Sequence, residues 1–126
     1  MQGLHLTADL SGCDPAQPLM TNTEALRALC VEAVAAAGLG AVAELFHRFE
    51  PAPGESQSGI TGVVLLAESH LAIHTWPERG GVTLDVYVCN LGQDNSDKAE
   101  ALGAAMVAAF GAREVDSQRL RRGRAG

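Results

Sequence analysis

The amino-acid sequence predicts an α+β fold, a two-layer sandwich in which a mainly antiparallel sheet carries two helices on one face. Two observations support this prediction. Strand-like segments follow one another from residue 41 to residue 89, and this order favours hairpins. Two other segments, near residues 21–37 and 96–110, repeat apolar side chains at helical spacing. The 126 residues fit a single domain, 1–126.

The first part of the chain is predicted to form a strand, a helix and a second strand. Residues 3–10 alternate apolar and polar side chains, as a strand with one buried face does. A helix begins near Thr21, because Thr21 and Glu24 have the spacing of a capping box, and it stops at Gly38. Residues 41–49 alternate again and predict the second strand.

The middle of the chain is predicted to add three more strands. Residues 60–67 are apolar on both faces except at Thr61, a pattern typical of a strand covered on both sides. Residues 69–76 have a strand-like centre. Residues 82–89 form the clearest strand, with an aliphatic face and a polar face that includes Cys89.

The last part of the chain is predicted to form a helix and a weak strand. Asn95 or Ser96 caps the helix, and Gly111 ends it. Residues 113–120 predict the strand, and the arginine-rich residues 121–126 predict a flexible, solvated tail. Because both helices cover the same face of the sheet, the other face needs a cover, and we expect a homodimer.

Composition narrows the classes of partner and location. The formal charge of −6 argues against a nucleic-acid partner. No apolar run reaches the length of a membrane span, and the start of the chain does not resemble a signal peptide. The cysteines Cys13, Cys30 and Cys89 are odd in number and form no CxxC pair, so we expect free thiols in the cytoplasm. Cys30 falls on the apolar helix face and is predicted to be a core residue.

The segment 67–78 concentrates the side chains that could carry chemistry. Ser69, His70 and His74 lie there beside the carboxylates Glu68 and Glu78, in a chain that is otherwise mostly aliphatic. Considered alone, these residues leave several interpretations open. The simplest is that they are ordinary polar residues of a turn and a strand.

Two kinds of site are less well supported by the same residues. A metal site would use His70 and His74 with Cys89 and Glu78, but no CxxC or HExxH motif accompanies them, so we predict no metal. A serine hydrolase would place Ser69 in a nucleophile elbow such as GxSxG, whereas its context here is Ala-Glu-Ser-His.

A family resemblance decides between these interpretations. Residues 62–78, which include Glu68-Ser69-His70 and His74-Thr75-Trp76-Pro77-Glu78, closely resemble the processing site of the short prokaryotic S-adenosylmethionine decarboxylases. The family's cysteine follows at the matching distance as Cys89. The similarity extends weakly from residues 3–6 through residues 46–49 and fades after the second helix. A match of this length with a distant cysteine in register is highly specific.

The resemblance implies a self-cleaving proenzyme, that is, a zymogen. The chain would break between Glu68 and Ser69, giving a β chain of residues 1–68 and an α chain of residues 69–126 that begins with a pyruvoyl group derived from Ser69. This cofactor would decarboxylate S-adenosylmethionine through a Schiff base, for polyamine (spermidine) biosynthesis. No standard side chain offers such a carbonyl, so the chain would make its own cofactor.

The resemblance also implies roles for individual residues, which we take as predictions. Processing would involve Glu68, Ser69, Thr61 and His74, with His74 as the base and Thr61 in a position where the family usually has serine. Ser69, His74 and Cys89 are the predicted catalytic residues, and Cys89 is the acid. The predicted substrate-binding residues are Glu78, for the ribose hydroxyls, and the aromatic side chains Phe49 and Trp76. A role for His70 cannot be separated from its adjacency to Ser69.

Some segments depart from the family pattern and leave the substrate open. The turn after Glu78 reads Arg79-Gly80-Gly81 where relatives commonly have a tyrosine and alanines, the loop 50–59 is longer, and the usual acidic C-terminal extension is replaced by the arginine-rich tail. The first alternative function is that of the related pyruvoyl-dependent decarboxylases that act on ornithine or arginine. The second is an unprocessed binding module in which Ser69 stays intact.

The alternation of side chains also bears on the processing residues. Thr61 and Ser69 would share a face of the sheet if the strand between them is unbroken.

Overall fold

The computed structural model describes residues 2–124. Its strands coincide with segments in which apolar and polar side chains alternate, and its two long helices coincide with segments in which apolar side chains recur at helical spacing. The elements, in chain order, are β1 (Gln2–Ser11), α1 (Pro18–Thr21), α2 (Thr23–Ala36), β2 (Ala41–Arg48), β3 (Ile60–Leu66), β4 (Ser69–Trp76), β5 (Gly81–Cys89), α3 (Ser96–Ala109) and β6 (Glu114–Gly123). A short 3₁₀ turn, Pro77–Arg79, joins β4 to β5.

The strands form one sheet in the order β2-β3-β4-β5-β1-β6, and every neighbouring pair is antiparallel. Hairpins connect β3, β4 and β5 directly, as the uninterrupted succession of strand-like segments predicts. The predicted α+β sandwich is therefore confirmed. The helix count needs a correction, because the one-turn helix α1 precedes the two long helices.

The core lies between one face of the sheet and the helices α2 and α3. From α2 the side chains of Leu26 and Cys30 are fully buried, and from α3 those of Leu102 and Met106. They pack on the aliphatic face of the strands, where Val86 is also fully buried. Burial, and to a lesser extent the nearby Glu44 carboxylate, raises the pKa of the Cys30 thiol to about 12. The prediction that Cys30 is a core residue is confirmed.

The start of α2 differs from the capping box predicted for Thr21 and Glu24. Asn22 is the N-cap, and its side-chain oxygen accepts a hydrogen bond from the backbone N–H of Ala25 at 3.1 Å. Thr21 instead ends α1, whose first residue, Pro18, fits the first turn of a helix. The two short polar residues compete for the same cap, and the asparagine takes it.

The predicted tail also needs a correction. Residues 121–123 belong to β6 and pair with β1, up to the partners Gln2 and Gly123. The predicted strand 113–120 is thus confirmed and is longer than expected. Alternating charged residues can form an edge strand because neither face of β6 has to be buried. Ala125 and Gly126, the end of the predicted tail, lie outside the described residues.

The sheet face opposite the helices, called here the open face, carries apolar side chains that the described part of the chain does not cover. Leu45, Leu65 and Leu120 project from it, and they are 71%, 46% and 47% exposed. The expectation that β3 is covered on both sides is therefore not met within one chain. Large exposed apolar side chains on one sheet face are typical of an interaction surface.

Candidate functional site

The hairpin between β3 and β4 places Ser69 directly after a strained turn. Leu66 and Ser69 are the last paired residues, so Ala67 and Glu68 form a two-residue loop. Glu68 has a φ of +57°, and it is the one non-glycine residue with positive φ among residues 2–124. A left-handed conformation costs an L-residue with a Cβ roughly 1–2 kcal/mol. The peptide bond after Glu68 therefore follows a locally strained residue.

Ser69 and Cys89 are neighbours although 20 residues separate them in sequence. The backbone N–H of Cys89 donates a hydrogen bond to Ser69 Oγ at 3.0 Å. The contact follows from the antiparallel pairing of β4 with β5, which brings the start of one strand next to the end of the other. The Cys89 side chain is buried, and Ser69 is half-buried. Two of the predicted catalytic residues are thus brought together.

Thr61 and His74 form a second pair of predicted site residues. They are direct cross-strand partners in the β3–β4 hairpin, and Thr61 Oγ1 lies 3.1 Å from His74 Nδ1. This distance is that of a hydrogen bond. The predicted processing residues Thr61 and His74 are therefore in contact in the folded chain.

A cavity of about 430 Å³ lies around this pair and contains the residues predicted to bind substrate. Phe49, Trp76 and Glu78 all line it. The His74 and Trp76 rings are 5.8 Å apart between centroids. The long loop after β2 forms one wall, and it is closed at its base because the backbone N–H of Phe49 donates to the carbonyl of Gly59 at 3.0 Å.

The two groups of predicted site residues do not meet within one chain. Ser69 begins β4 and His74 lies five residues further along it, so their Cα atoms are separated by about 16 Å at the rise of a strand. The expectation that Thr61 and Ser69 share a face of an unbroken strand is wrong. The chain reverses at Glu68, so Thr61 pairs with His74 rather than continuing to Ser69.

The structure shows a polar network on the open face that sequence reasoning did not single out. Asp85 Oδ2 lies 2.7 Å from His70 Nε2 and 3.0 Å from His5 Nε2. Arg122 Nη1 lies 2.9 Å from His5 Nδ1. Tyr87 packs against both histidine rings, with centroid distances of 5.6 Å to His5 and 5.8 Å to His70. Alternation along β5 puts Asp85 on the polar face, but its partners depend on strand order.

This network borders the cavity that Ser69 lines. A cavity of about 320 Å³ is lined by Glu68 and Ser69 together with His5, His70, Tyr87 and Arg122. Among residues 2–124, the one group of side chains close enough to hold a metal ion is His5, His70 and Asp85. The ligand set considered from sequence, in which His70 joins His74, Cys89 and Glu78, is therefore not the one that the fold assembles.

No helix within residues 2–124 has both the length and the apolar character needed to cross a membrane.

Comparison with known proteins identifies a matching family. The family model described as S-adenosylmethionine decarboxylase matches residues 4–123.

Similar proteins carry the name S-adenosylmethionine decarboxylase proenzyme. The one from Aquifex aeolicus is 46% identical over 87 residues, which cover 69% of this chain and 58% of that protein. The one from Sulfurihydrogenibium sp. is 43% identical over 97 residues, covering 77% of this chain and 66% of that protein. The chain spans 55–66% of the length of the eight curated relatives compared.

A solved structure has the same fold. The crystal structure of the adenosylmethionine decarboxylase from Aquifex aeolicus superimposes with a TM-score of 0.84 and 35% sequence identity. The superposition covers 98% of this chain and 92% of that chain.

Proposed function

Because the chain belongs to the S-adenosylmethionine decarboxylase family, we propose that it is a proenzyme that cleaves itself between Glu68 and Ser69 and then decarboxylates S-adenosylmethionine. The observation that carries this proposal is the position of Ser69. It follows a left-handed Glu68, and its hydroxyl oxygen is held by the backbone N–H of Cys89 at 3.0 Å. A nucleophile, a strained peptide and the predicted acid thus occupy one end of a hairpin.

The proposed cleavage uses only the chain and one water molecule. Ser69 Oγ attacks the carbonyl carbon of Glu68, the C–N bond breaks, and an ester replaces the peptide while the amino group of Ser69 is freed. Removal of the Ser69 Cα proton then expels the ester oxygen as the carboxylate of Glu68. The dehydroalanine that remains rearranges to an imine, and its hydrolysis consumes water, releases ammonia and leaves a pyruvoyl group.

Ser69 fits this role by residue type and by access. It lines an open cavity and is half-buried, so a small molecule can reach it. The pyruvoyl carbonyl would supply the electron sink for decarboxylation of an α-amino acid. Cys89, held beside Ser69, would carry the proton that replaces the departing carboxylate on the substrate's α-carbon.

The substrate-binding part of the proposal rests on the cavity around Thr61 and His74. Phe49 and Trp76 offer aromatic faces for the adenine and the sulfonium cation, and a cation over such a face gains roughly 0.5–2 kcal/mol. Glu78 offers a carboxylate that accepts hydrogen bonds from two ribose hydroxyls. The product would serve polyamine synthesis, and we place the protein in the cytoplasm because Cys13, Cys30 and Cys89 are all unpaired.

We further propose that a homodimer completes the site. Ser69 and Cys89 occupy one end of β4, whereas Thr61 and His74 occupy the other end, about 16 Å away. If the open faces of two copies pack with opposite strand directions, the first pair of one copy meets the second pair of its partner. Sheets that pack face to face are separated by about 10 Å, a distance that side chains bridge. The exposed Leu45 and Leu65 would then be buried between the copies.

One observation favours a second candidate substrate, a basic amino acid such as ornithine or arginine. The carboxylates of Glu50, Glu55 and Glu78 all line the cavity of about 430 Å³. Such a group of negative charges also attracts a side-chain ammonium or guanidinium. Arg79, from the altered turn after Glu78, lines the same cavity, and its positive charge offsets part of this attraction.

Release of carbon dioxide from carboxyl-labelled substrates distinguishes these candidates. The purified, cleaved protein is given S-adenosylmethionine, ornithine or arginine in parallel, with Ser69→Ala as the inactive control. The proposal expects release from S-adenosylmethionine at a kcat/KM at least about 100-fold above that for either amino acid, the discrimination a hydrogen-bonded site can supply. Preference for an amino acid would identify the second candidate. An intact chain that releases no carbon dioxide would indicate the unprocessed binding module.

A further inference from the structure

Charged side chains are segregated along the strands at the β6 edge of the open face. Asp116 and Arg122 point to this face, since each lies an even number of positions from Leu120 on the same strand. Both are exposed. Asp9 on β1 is the direct cross-strand partner of Asp116, and it is exposed as well. One end of this edge is therefore acidic and the other end is basic.

The acidic end has no counter-charge within one chain. Asp9 and Asp116 are like charges directly opposite each other on two strands, a pairing that destabilises a sheet. Within residues 2–124 neither carboxylate forms an ion pair. Arg122 lies further along β6, about 20 Å away at the rise of a strand. The two carboxylates are thus open to a cation that approaches from outside the chain.

The register of the sheet links these charges to the candidate site. Residues that are directly paired from strand to strand form rows across the sheet, and two rows matter here. The first, called here the Cys89 row, runs across β5, β1 and β6 through Cys89, Gly3 and Arg122. The second, called here the His74 row, runs from β3 to β6 through Thr61, His74, Thr83, Asp9 and Asp116. The basic end of the edge thus shares a row with Cys89, and the acidic end shares a row with His74.

The proposed homodimer superimposes these two rows. A two-fold axis that gives two facing sheets opposite strand directions lies across the strands and keeps their order, so β6 of one copy packs over β6 of the other. When the Cys89 row of one copy lies over the His74 row of its partner, Arg122 must lie over the acidic end of the partner's β6. The symmetry repeats the same contact at the other end of β6.

We propose that Arg122 of each copy forms an ion pair with the partner's Asp9 and Asp116, and that these two symmetric contacts set the opposite strand directions of the dimer. The inference rests on the proposed homodimer with its shared site and deepens it. It identifies the charges that bring Cys89 of one copy to His74 of the other.

The apolar part of the open face does not set this direction. Leu45 and Leu65, on β2 and β3, lose water whichever way the second sheet runs, because the hydrophobic effect is non-directional. Charges do distinguish the two arrangements. If the strands of both copies ran in the same direction, each row would face itself, and Arg122 would meet no carboxylate of the His74 row. Complementary charge therefore selects the arrangement that completes the site.

The position of β6 at the edge of the sheet suits such ion pairs. The rim of an interface stays accessible to water, so charges there lose little of their hydration. Arg122 is also ordered before a partner arrives. Its Nη1 donates to His5 Nδ1 at 2.9 Å, and its guanidinium carbon lies 5.7 Å from the centre of the Tyr87 ring. A guanidinium has five N–H donors, so others remain for a carboxylate, and an ordered side chain loses less entropy on binding.

Charge reversal in two separate variants tests the pairing. One variant carries Arg122→Glu. The other carries Asp9→Arg together with Asp116→Arg, which keeps a like-charged pair on the same two strands. Both are made in the background Ser69→Ala, so that sedimentation measures the association of uncleaved chains and the result does not depend on cleavage.

Each reversal variant alone should associate at least about 100-fold more weakly than the background, because both symmetric contacts then bring like charges together. An equimolar mixture of the two variants should form a heterodimer with an affinity within about tenfold of the background, because each contact again joins opposite charges. All three changes in one chain should restore the homodimer for the same reason.

Two further variants control for charge alone. Arg121→Glu reverses the neighbouring arginine of β6, which points to the helix side of the sheet, and Glu32→Arg reverses an exposed carboxylate on α2. Both should associate as the background does. Loss of association in these controls equal to that of the reversal variants would show that net charge acts rather than pairing, and it would overturn the proposal.

Three other results would also overturn the proposal. The first is association of both reversal variants at the background affinity, which would place these charges outside the interface. The second is weak association that neither the mixture nor the combined chain restores. The third is association of the background only with added Ca²⁺, lost in the variant that carries Asp9→Arg and Asp116→Arg, which would replace the arginine by a bound cation.

Failure of the inference and failure of the proposed function are distinguishable. A monomeric background would remove the shared site and this inference with it, whereas mass spectrometry of the unmodified chain would still decide self-cleavage. If the variants associate as expected but the unmodified chain stays intact, the proposed function fails and the charge pairing stands.

Discussion

The backbone N–H of Cys89 donates a hydrogen bond to Ser69 Oγ at 3.0 Å and so joins the end of β5 to the start of β4. The bond places a thiol-bearing residue next to the serine hydroxyl without using the thiol itself. The side chain of Cys89 is therefore left for a separate task from the one its backbone performs. This division predicts that cleavage and turnover respond differently to substitution of Cys89.

Cys89→Ala should leave chain cleavage nearly intact, because the backbone N–H that contacts Ser69 remains. Decarboxylation should fall by at least about 100-fold, the usual contribution of a positioned general acid. Mass spectrometry measures the first effect and carbon dioxide release the second. Cys13→Ala, which removes another buried free thiol, is the matched control and should change neither. Normal turnover in Cys89→Ala would remove the thiol from the mechanism.

The left-handed backbone at Glu68 should lower the free energy of unfolding by a measurable amount. In the uncleaved background Ser69→Ala, Glu68→Gly should raise the free energy of unfolding by about 0.5–1 kcal/mol, since glycine adopts positive φ without the cost of a Cβ. Glu68→Gln keeps the Cβ and should leave the stability unchanged. Denaturant unfolding of both variants provides the comparison. Equal stabilities would show that the left-handed conformation costs nothing here.

A site shared between two copies predicts complementation. In a mixed dimer of Ser69→Ala with His74→Ala, one of the two sites combines an intact Ser69 with an intact His74. Co-expression should therefore cleave up to about half of the His74→Ala chains, because random pairing places half of them in mixed dimers. Mass spectrometry distinguishes the two chains by mass. His74→Ala chains that cleave no faster in the mixture than they do alone would contradict a shared site.

The open face should control association. Leu65→Lys should abolish the dimer, because it places a charge in the proposed interface, and should change monomer stability by less than about 0.5 kcal/mol. Val115→Lys is the matched control. Leu65 and Val115 are 46% and 47% exposed but lie on opposite faces of the sheet. Sedimentation should show a monomer for the first variant and a dimer for the second. A Leu65→Lys dimer would place the interface elsewhere.

Much of the fold could be predicted because its signals are local. Alternation along 82–89 predicts both faces of β5, and helical spacing identifies Cys30 as a core residue. The strand-like segments 60–67 and 69–76 also bracket the turn after β3. The second residue of that turn is Glu68, where a glycine would be expected at positive φ, so the sequence did not show the left-handed backbone there.

The site was only partly predictable because its geometry depends on strand order and register. The motif around Ser69 identified the site residues by resemblance. It did not show that His74 pairs with Thr61 at the far end of the hairpin. The contact between Arg122 and His5 joins residues 117 positions apart. Such a contact exists only once β6 pairs with β1, and no pattern along the chain indicates that neighbour.

The central claim is that the chain breaks between Glu68 and Ser69, and denaturing mass spectrometry of the purified protein tests it most directly. The account predicts two species, residues 1–68 ending in a free carboxylate and residues 69–126 in which Ser69 has become a pyruvoyl group. Ser69→Ala should give one intact chain. A single species in the unmodified protein, with Ser69 still a serine, would contradict the account.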